Sequence, residues 1–247
     1  MGCATGAPFN VIPPIVKDSN PAAYFLSPGG AGFGNAILRS FHIASTEGIS
    51  FDSVGGPSSI SVPDWTAPPN APQPNGKTLD TLDGRFVSQT QQVGTALWNV
   101  HPINVGGFSR VRLYQFDQTA TAPLFIFTPS SVAGTNNDHL FNPSVAVDGP
   151  SNLAFITASR TIPADPQNGK PGMLIFKGSA NSDLGWLFHV VRISPHQYVT
   201  CTTDPCRWGD YSAMQIDPSN HTRAWGFNQI VTGPSDLQWS TRAAKVR

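Results

Sequence analysis

From Leu79 to the C-terminus the sequence is built from one kind of unit used three times. Each unit is a set of short apolar-alternating runs separated by Gly, Pro, Asn and Asp turns. The first reads LDGRFVSQTQQV, a turn at Gly94, ALWNVHPINV, a Gly-Gly turn, RVRLYQFD and PLFIFTPSSV. The second reads LFNPSVAVD, the turn GPSN, LAFITASRTI, a loop ADPQNGKPG, MLIFKGS and GWLFHVVRIS. The third reads WGDYSAMQID, the turn PSNHT, RAWGFNQIV, the turn TGPSD and LQWSTRAAKV. Alternation with period two, bounded by turn residues, is the signature of antiparallel meanders. The spacing of roughly 55 to 70 residues suits propeller blades that carry loops. A β-sandwich of ordinary hairpins is the competing architecture.

Composition supports strands over helices. Glu47 is the only glutamate, and the chain holds 23 glycines and 23 prolines. Good helix formers are therefore scarce and turn formers abundant. The 15 basic and 15 acidic residues balance to zero net charge. A nucleic-acid partner would call for a clearly basic chain, so nucleic acid is excluded as the expected partner, and a polyanion or charged membrane surface is disfavoured on the same ground. No run approaches the about 18 apolar residues of a membrane-spanning helix, so no membrane insertion is expected. The opening MGCATGAPFNVIPP lacks the basic and apolar regions of a signal peptide.

The first 78 residues are less regular. Residues 1–21 are proline-rich, AAYFL and AILRSFHI read as strands, and the stretch 49–54 is ambiguous. WTAPPNAPQPNGK is too rich in proline for a central strand. Residues 1–78 are thus expected to form a poorly defined β segment with a proline-rich linker, or part of a blade. Residues 79–247 are expected to form blades.

The stretch Cys201–Trp225 is the densest in chemistry. It contains RWGDYS at 207–212, then SAMQID, a D-P-S-N turn and a second strand opening on Trp225. This resembles the last blades of secreted bacterial β-propellers with a sialidase-like, six-bladed fold. The likeness runs from Thr78 to Val246 and fades toward the N-terminus. It implies an all-β propeller of sialidase-like type. With three clear units, the chain would be a partial ring of about three to four four-stranded blades, since only a closed ring protects sheet edges. The remaining blades would come from upstream or from another chain. The likeness also implies a bacterial protein at the cell surface or outside it, with its export signal upstream of Met1. In such an oxidising setting Cys201 and Cys206, which bracket TTDP, would form a disulfide. Two free thiols are the alternative, and Cys3 is left over.

Five residues are candidate ligand contacts: Arg207, Trp208, Asp210, Tyr211 and Arg85. Asp210 would bind a ligand or cation with Arg207 as partner, and Trp208 and Tyr211 would offer stacking faces. In the architectural alternative Arg207 and Asp210 pair internally and Trp208 packs between blades. Sialidases use three arginines, a Tyr–Glu pair and an acid/base group. Arg85, Arg160 and Arg207 could converge, but Glu47 lies outside the clear units and the Asp-box pattern S-x-D-x-G-x-T-W is absent. A two-carboxylate glycosidase could use Asp83 and Asp210, although nothing in the sequence selects that pair. No G-x-S-x-G or H-E-x-x-H occurs. No cofactor is implied. A calcium site would need Asn136, Asn137 and Asp138 together with backbone carbonyls or Asp148. The expected function is non-catalytic binding of an extracellular glycan or protein. A sialidase-like glycoside hydrolase completed by further blades, and a structural fragment with no site, are the alternatives.

Overall fold

The computed structural model describes residues 10–20, 22–28, 37–44, 53–129, 137–199, 201–233 and 239–247. Among these residues the secondary structure is all β. β1 (Ile15–Val16) precedes a three-stranded meander of β2 (Ala22–Pro28), β3 (Ile37–Ala44) and β4 (Ser53–Ser61). The proline-rich segment carries the two-residue strands β5 (Ala71–Pro72) and β6 (Thr78–Leu79). The second meander is β7 (Gln91–Val93), β8 (Ala96–Val105), β9 (Phe108–Asp117) and β10 (Phe125–Phe127), with β1 added in parallel beside β7. The third is β11 (His139–Asp148), β12 (Leu153–Thr161), β13 (Gly172–Ser179) and β14 (Leu187–Ile193). The fourth is β15 (Ala213–Ile216), β16 (Ala224–Val231) and β17 (Trp239–Val246).

Turn chemistry sets these hairpins. Gly106 and Gly107 form the two-residue turn between β8 and β9 with φ of 61° and 87°. Two successive positive φ angles match the twist of the flanking strands and favour glycine at both positions. Asp217 accepts hydrogen bonds from the Ser219 amide (2.9 Å) and hydroxyl (2.7 Å), so the D-P-S turn closes on its own backbone.

The arrangement of the core decides between sandwich and propeller. In β8, Trp98 and Val100 face the third sheet while Leu97 and Ile103 face the first. In β12, Ala154, Ile156 and Ala158 face the second sheet while Phe155 faces the fourth. β13 splits likewise, with Leu174 and Phe176 on one side and Met173 and Ile175 on the other. A strand directs alternate side chains to opposite faces, and here both faces of the second and third sheets are buried. A two-layer sandwich would leave one face of each sheet in water. Successive meanders stacked face to face in chain order form instead an arc of propeller blades. Phe155 packs between two sheets, but Trp225 turns to the outer, exposed face of the fourth.

The N-terminal segment joins this arc. Leu26 and Ile60 of the first sheet enter one cluster with Trp65, Phe86, Leu97 and Phe116. The proline-rich stretch does more than link neighbours in sequence. It crosses to the loop before β15, where Leu79 pairs in parallel with Cys206. The Gln73 side chain donates to the Tyr198 carbonyl (2.9 Å) and accepts from the Tyr198 amide (2.8 Å). No helix among the described residues is long and apolar enough to cross a membrane.

Candidate ligand pocket at the RWGDYS segment

The segment is fixed from behind. Cys201 and Cys206 are joined in a disulfide with Cα atoms 5.2 Å apart. Cys206 is buried, and its amide and carbonyl bond Thr78 (2.8 Å) and Asp80 (2.9 Å) at the end of the proline-rich stretch, the strap that crosses to this loop. Asp204 accepts from the Thr78 amide and hydroxyl, at 3.0 and 2.7 Å. Cys3 lies outside the described residues.

Trp208 is no stacking face for a ligand. It is 2% exposed, in a cluster with Leu79, Phe141, Cys206 and Val231. Its indole N–H donates to Ser159 Oγ (3.1 Å), which donates to Asn228 Oδ1 (2.9 Å), tying the loop to β12 and β16. A buried indole finds a hydrogen-bond partner and contributes a large apolar area. At Gly209 a Cβ would lie 2.3 Å from Gln229 Oε1, and Asn142 Nδ2 donates to the Gly209 carbonyl at 2.7 Å.

The neighbouring side chains point the other way. Arg207 is 77% exposed and pairs with the partly exposed Asp210 at 3.0 Å. Tyr211 is 74% exposed. Arg85 forms a fork with Asp83, with Nε 2.7 Å from Oδ1. That hydrogen bond raises the Arg85 pKa above its ordinary value, and Tyr211 and Asp210 add smaller contributions in the same direction. Arg85 is thus within electrostatic reach of Asp210. Of the five sequence candidates, four share this neighbourhood and Trp208 supports it from the inside.

Tyr211, Phe227 and Trp239 rim a pocket of about 340 Å³, with Asp210, Ser212 and Gln229 among its polar lining. Asn228 reaches this pocket only with its backbone, because its side chain is 2% exposed and turns to the opposite face of β16, where its Oδ1 accepts from Ser159 Oγ. Phe227, Gln229 and Trp239 are the residues sequence reasoning missed. Alternation in RAWGFNQIV marks Phe227 and Gln229 as one face of β16, but nothing in it says that this face is open.

The remaining candidates go elsewhere. Arg160 does not join Arg85 and Arg207. It turns to the fully buried Asp138 (3.9 Å), which Arg110 also holds at 2.8 Å. Burial lowers the Arg160 pKa, with Asp138 opposing. His139 beside them is lowered to about 4, first by burial and then by Arg110. The calcium arrangement is not assembled with Asp148. Asp138 and Asp148 flank or end the ten-residue strand β11, which separates them by about 30 Å at the usual rise per residue. Asn136 and Glu47 lie outside the described residues.

No family model and no curated protein matches the chain. Solved structures similar to it include a GH43 β-1,3-galactosidase (7% identity, 73% of this chain and 38% of that one, TM-score 0.35). Another is a subtype N11 neuraminidase-like protein of A/flat-faced bat/Peru/033/2010 (11% identity, 91% and 57%, TM-score 0.37). A third is a β-fructofuranosidase from Schwanniomyces occidentalis complexed with fructosyl-erythritol (12% identity, 98% and 44%, TM-score 0.41). The chain spans less than two thirds of each of these three. Likeness at these TM-scores has no bearing on chemistry.

Proposed function

We propose that the protein is an exported, non-catalytic propeller module that binds a glycan at the RWGDYS pocket. The observation that carries this reading is the grouping of exposed rings and polar side chains around one pocket. Tyr211, Phe227 and Trp239 offer apolar faces, while Asp210, Gln229 and Thr241 offer acceptors and donors. A sugar presents apolar C–H faces and hydroxyls together, and binding sites of this mixed kind orient ligands through a few polar groups. Asp210 is the one carboxylate among the described lining residues, and Arg207 neutralises it. Glycosidases place two carboxylates about the scissile bond, so the lining favours binding over hydrolysis. The disulfide supports an oxidising compartment.

A glycan array followed by titration of the best ligand tests this. Tyr211→Ala and Trp239→Ala should each weaken binding by an order of magnitude or more, while near-native stability is retained because both rings are exposed. Absence of glycan binding would overturn the reading. So would turnover of a chromogenic glycoside that disappears in Asp210→Ala.

One observation favours a second reading. Trp225 is exposed on the same outer face of β16 as Phe227, and the corresponding faces of the second and third sheets each receive the next sheet. A further blade from another part of the parent protein or another chain would cover it. Self-association that Trp225→Ala abolishes, with glycan binding absent, would support that alternative.

A further inference from the structure

A second cavity, of about 500 Å³, lies where the ends of the first strands of three sheets meet. It is reached from the turns after β7, β11 and β15, whereas the RWGDYS pocket lies before β15. Its walls are apolar: Ile15, Val93, Val147, Pro150, Ile216 and Pro218. Lys17, which follows β1, is its half-buried cation. Burial lowers the Lys17 pKa to about 8, with Asp148 partly offsetting the effect.

The hydrogen bonds show which group has spare capacity. The two carboxylates in the lining are engaged by their own turns. Asp148 accepts from the Ser151 amide at 2.9 Å and faces His221 Nδ1 at 3.2 Å. Asp18 accepts from the Asn20 amide at 2.9 Å and from the Gly94 amide. An ammonium has three donors, and among the described residues Lys17 Nζ has one acceptor, the Val147 carbonyl. A cation drawn out of water beside apolar walls favours an anion that brings its own apolar surface. Multiply charged anions are disfavoured by the nearby Asp18 and Asp148. With Lys17 among the lining residues, a bound metal cation is disfavoured as well.

We propose that this cavity binds a small organic monocarboxylate. The carboxylate pairs with Lys17 Nζ, and the apolar body lies against Ile15, Val93 and Pro218. The site is independent of the glycan reading.

The test is an NMR titration of the full chain labelled at the lysine ε-position. The probes are benzoate, hexanoate and indole-3-acetate, with benzamide and inorganic phosphate as controls. At least one carboxylate should shift the Lys17 signal saturably and raise its titration midpoint relative to the unliganded protein, because the bound anion favours the charged amine. Affinity should fall as pH rises through that midpoint, and Lys17→Gln should weaken it on the order of tenfold. Benzamide should bind at least as weakly as the variant does. Three results would each overturn the proposal: no carboxylate binding saturably, benzamide matching benzoate, or full affinity in Lys17→Gln. The wild-type titration stands alone if the variant does not fold.

Discussion

Replacing Trp208 with alanine removes the side chain that pins the RWGDYS loop to two sheets. The ring is 2% exposed and lies among Leu79, Phe141, Cys206 and Val231, with the Tyr198 ring edge-on at 5.6 Å. A buried aromatic withdraws about 150–250 Å² from water, equivalent to about 4–6 kcal/mol at the usual coefficient. Truncations of such residues cost about 3–5 kcal/mol once partial collapse is allowed, and that is the expected loss. Trp208→Phe separates the components. It retains most of the ring but leaves Ser159 Oγ without its indole donor, for a cost of about 1–2.5 kcal/mol from one buried hydrogen bond and a smaller void. Urea titrations followed by circular dichroism would measure both. A loss below about 1 kcal/mol for Trp208→Ala would mean that the ring is not packed as described. Equal losses for the two variants would mean that the hydrogen bond, not the ring, holds the loop.

Other consequences follow from the buried charges and the disulfide. Asp138→Asn should destabilise the fold by about 3–5 kcal/mol, because Arg110 and Arg160 would lose the carboxylate they share; calorimetry would detect it. His101 is fully buried with a pKa lowered to about 3, first by burial, and His139 is lowered to about 4. Both take up protons on unfolding at pH values below the ordinary histidine value of 6.5. Stability should therefore be fully present above 6.5 and decline as pH falls toward 4, with a slope of up to about 2.7 kcal/mol per pH unit for two protons. A urea midpoint flat from pH 7 to 5 would contradict this. Hydrogen bonding to Lys245, and then to Ser219, holds the Asp217 carboxyl well below its usual range. Its contribution is present above the unfolded carboxylate value and lost as pH falls below it, so Asp217→Asn should shift acid unfolding toward higher pH. Replacing Cys201 and Cys206 with serine should cost about 2 kcal/mol for so short a loop, as read from thermal unfolding.

The strands after Leu79 were legible because their signals are local. Alternation, paired glycines and Asp-Pro turns each act within a few residues, and the three meanders follow the segments that the pattern marks out. What was not legible depended on partners far away in sequence. The proline-rich stretch reads as a linker, yet its Gln73 and Thr78 meet Tyr198 and Asp204. Arg160 could as well have joined Arg85 and Arg207 as turned to Asp138, because only the stacking of sheets chooses. Phe155 and Trp225 occupy equivalent places after similar turns, yet one is buried between sheets and the other is exposed. Period two marks two faces without saying which is covered.

The same geometry dissolves the opposition between an architectural and a functional RWGDYS. The hexapeptide loop sends different side chains to different sides, so it can serve both. Trp208 faces inward to the strap and to β12, while Arg207 and Tyr211 face water. The two roles are then separable by experiment. Tyr211→Ala should remove glycan affinity and leave the urea midpoint unchanged, whereas Trp208→Ala should lower both, because a loop that loses its anchor no longer presents Asp210 and Tyr211 together. If Trp208→Ala reduces stability as calculated yet binds glycan with wild-type affinity, the pocket does not depend on the anchored loop, and the rings of β16 and β17 alone would be its binding surface.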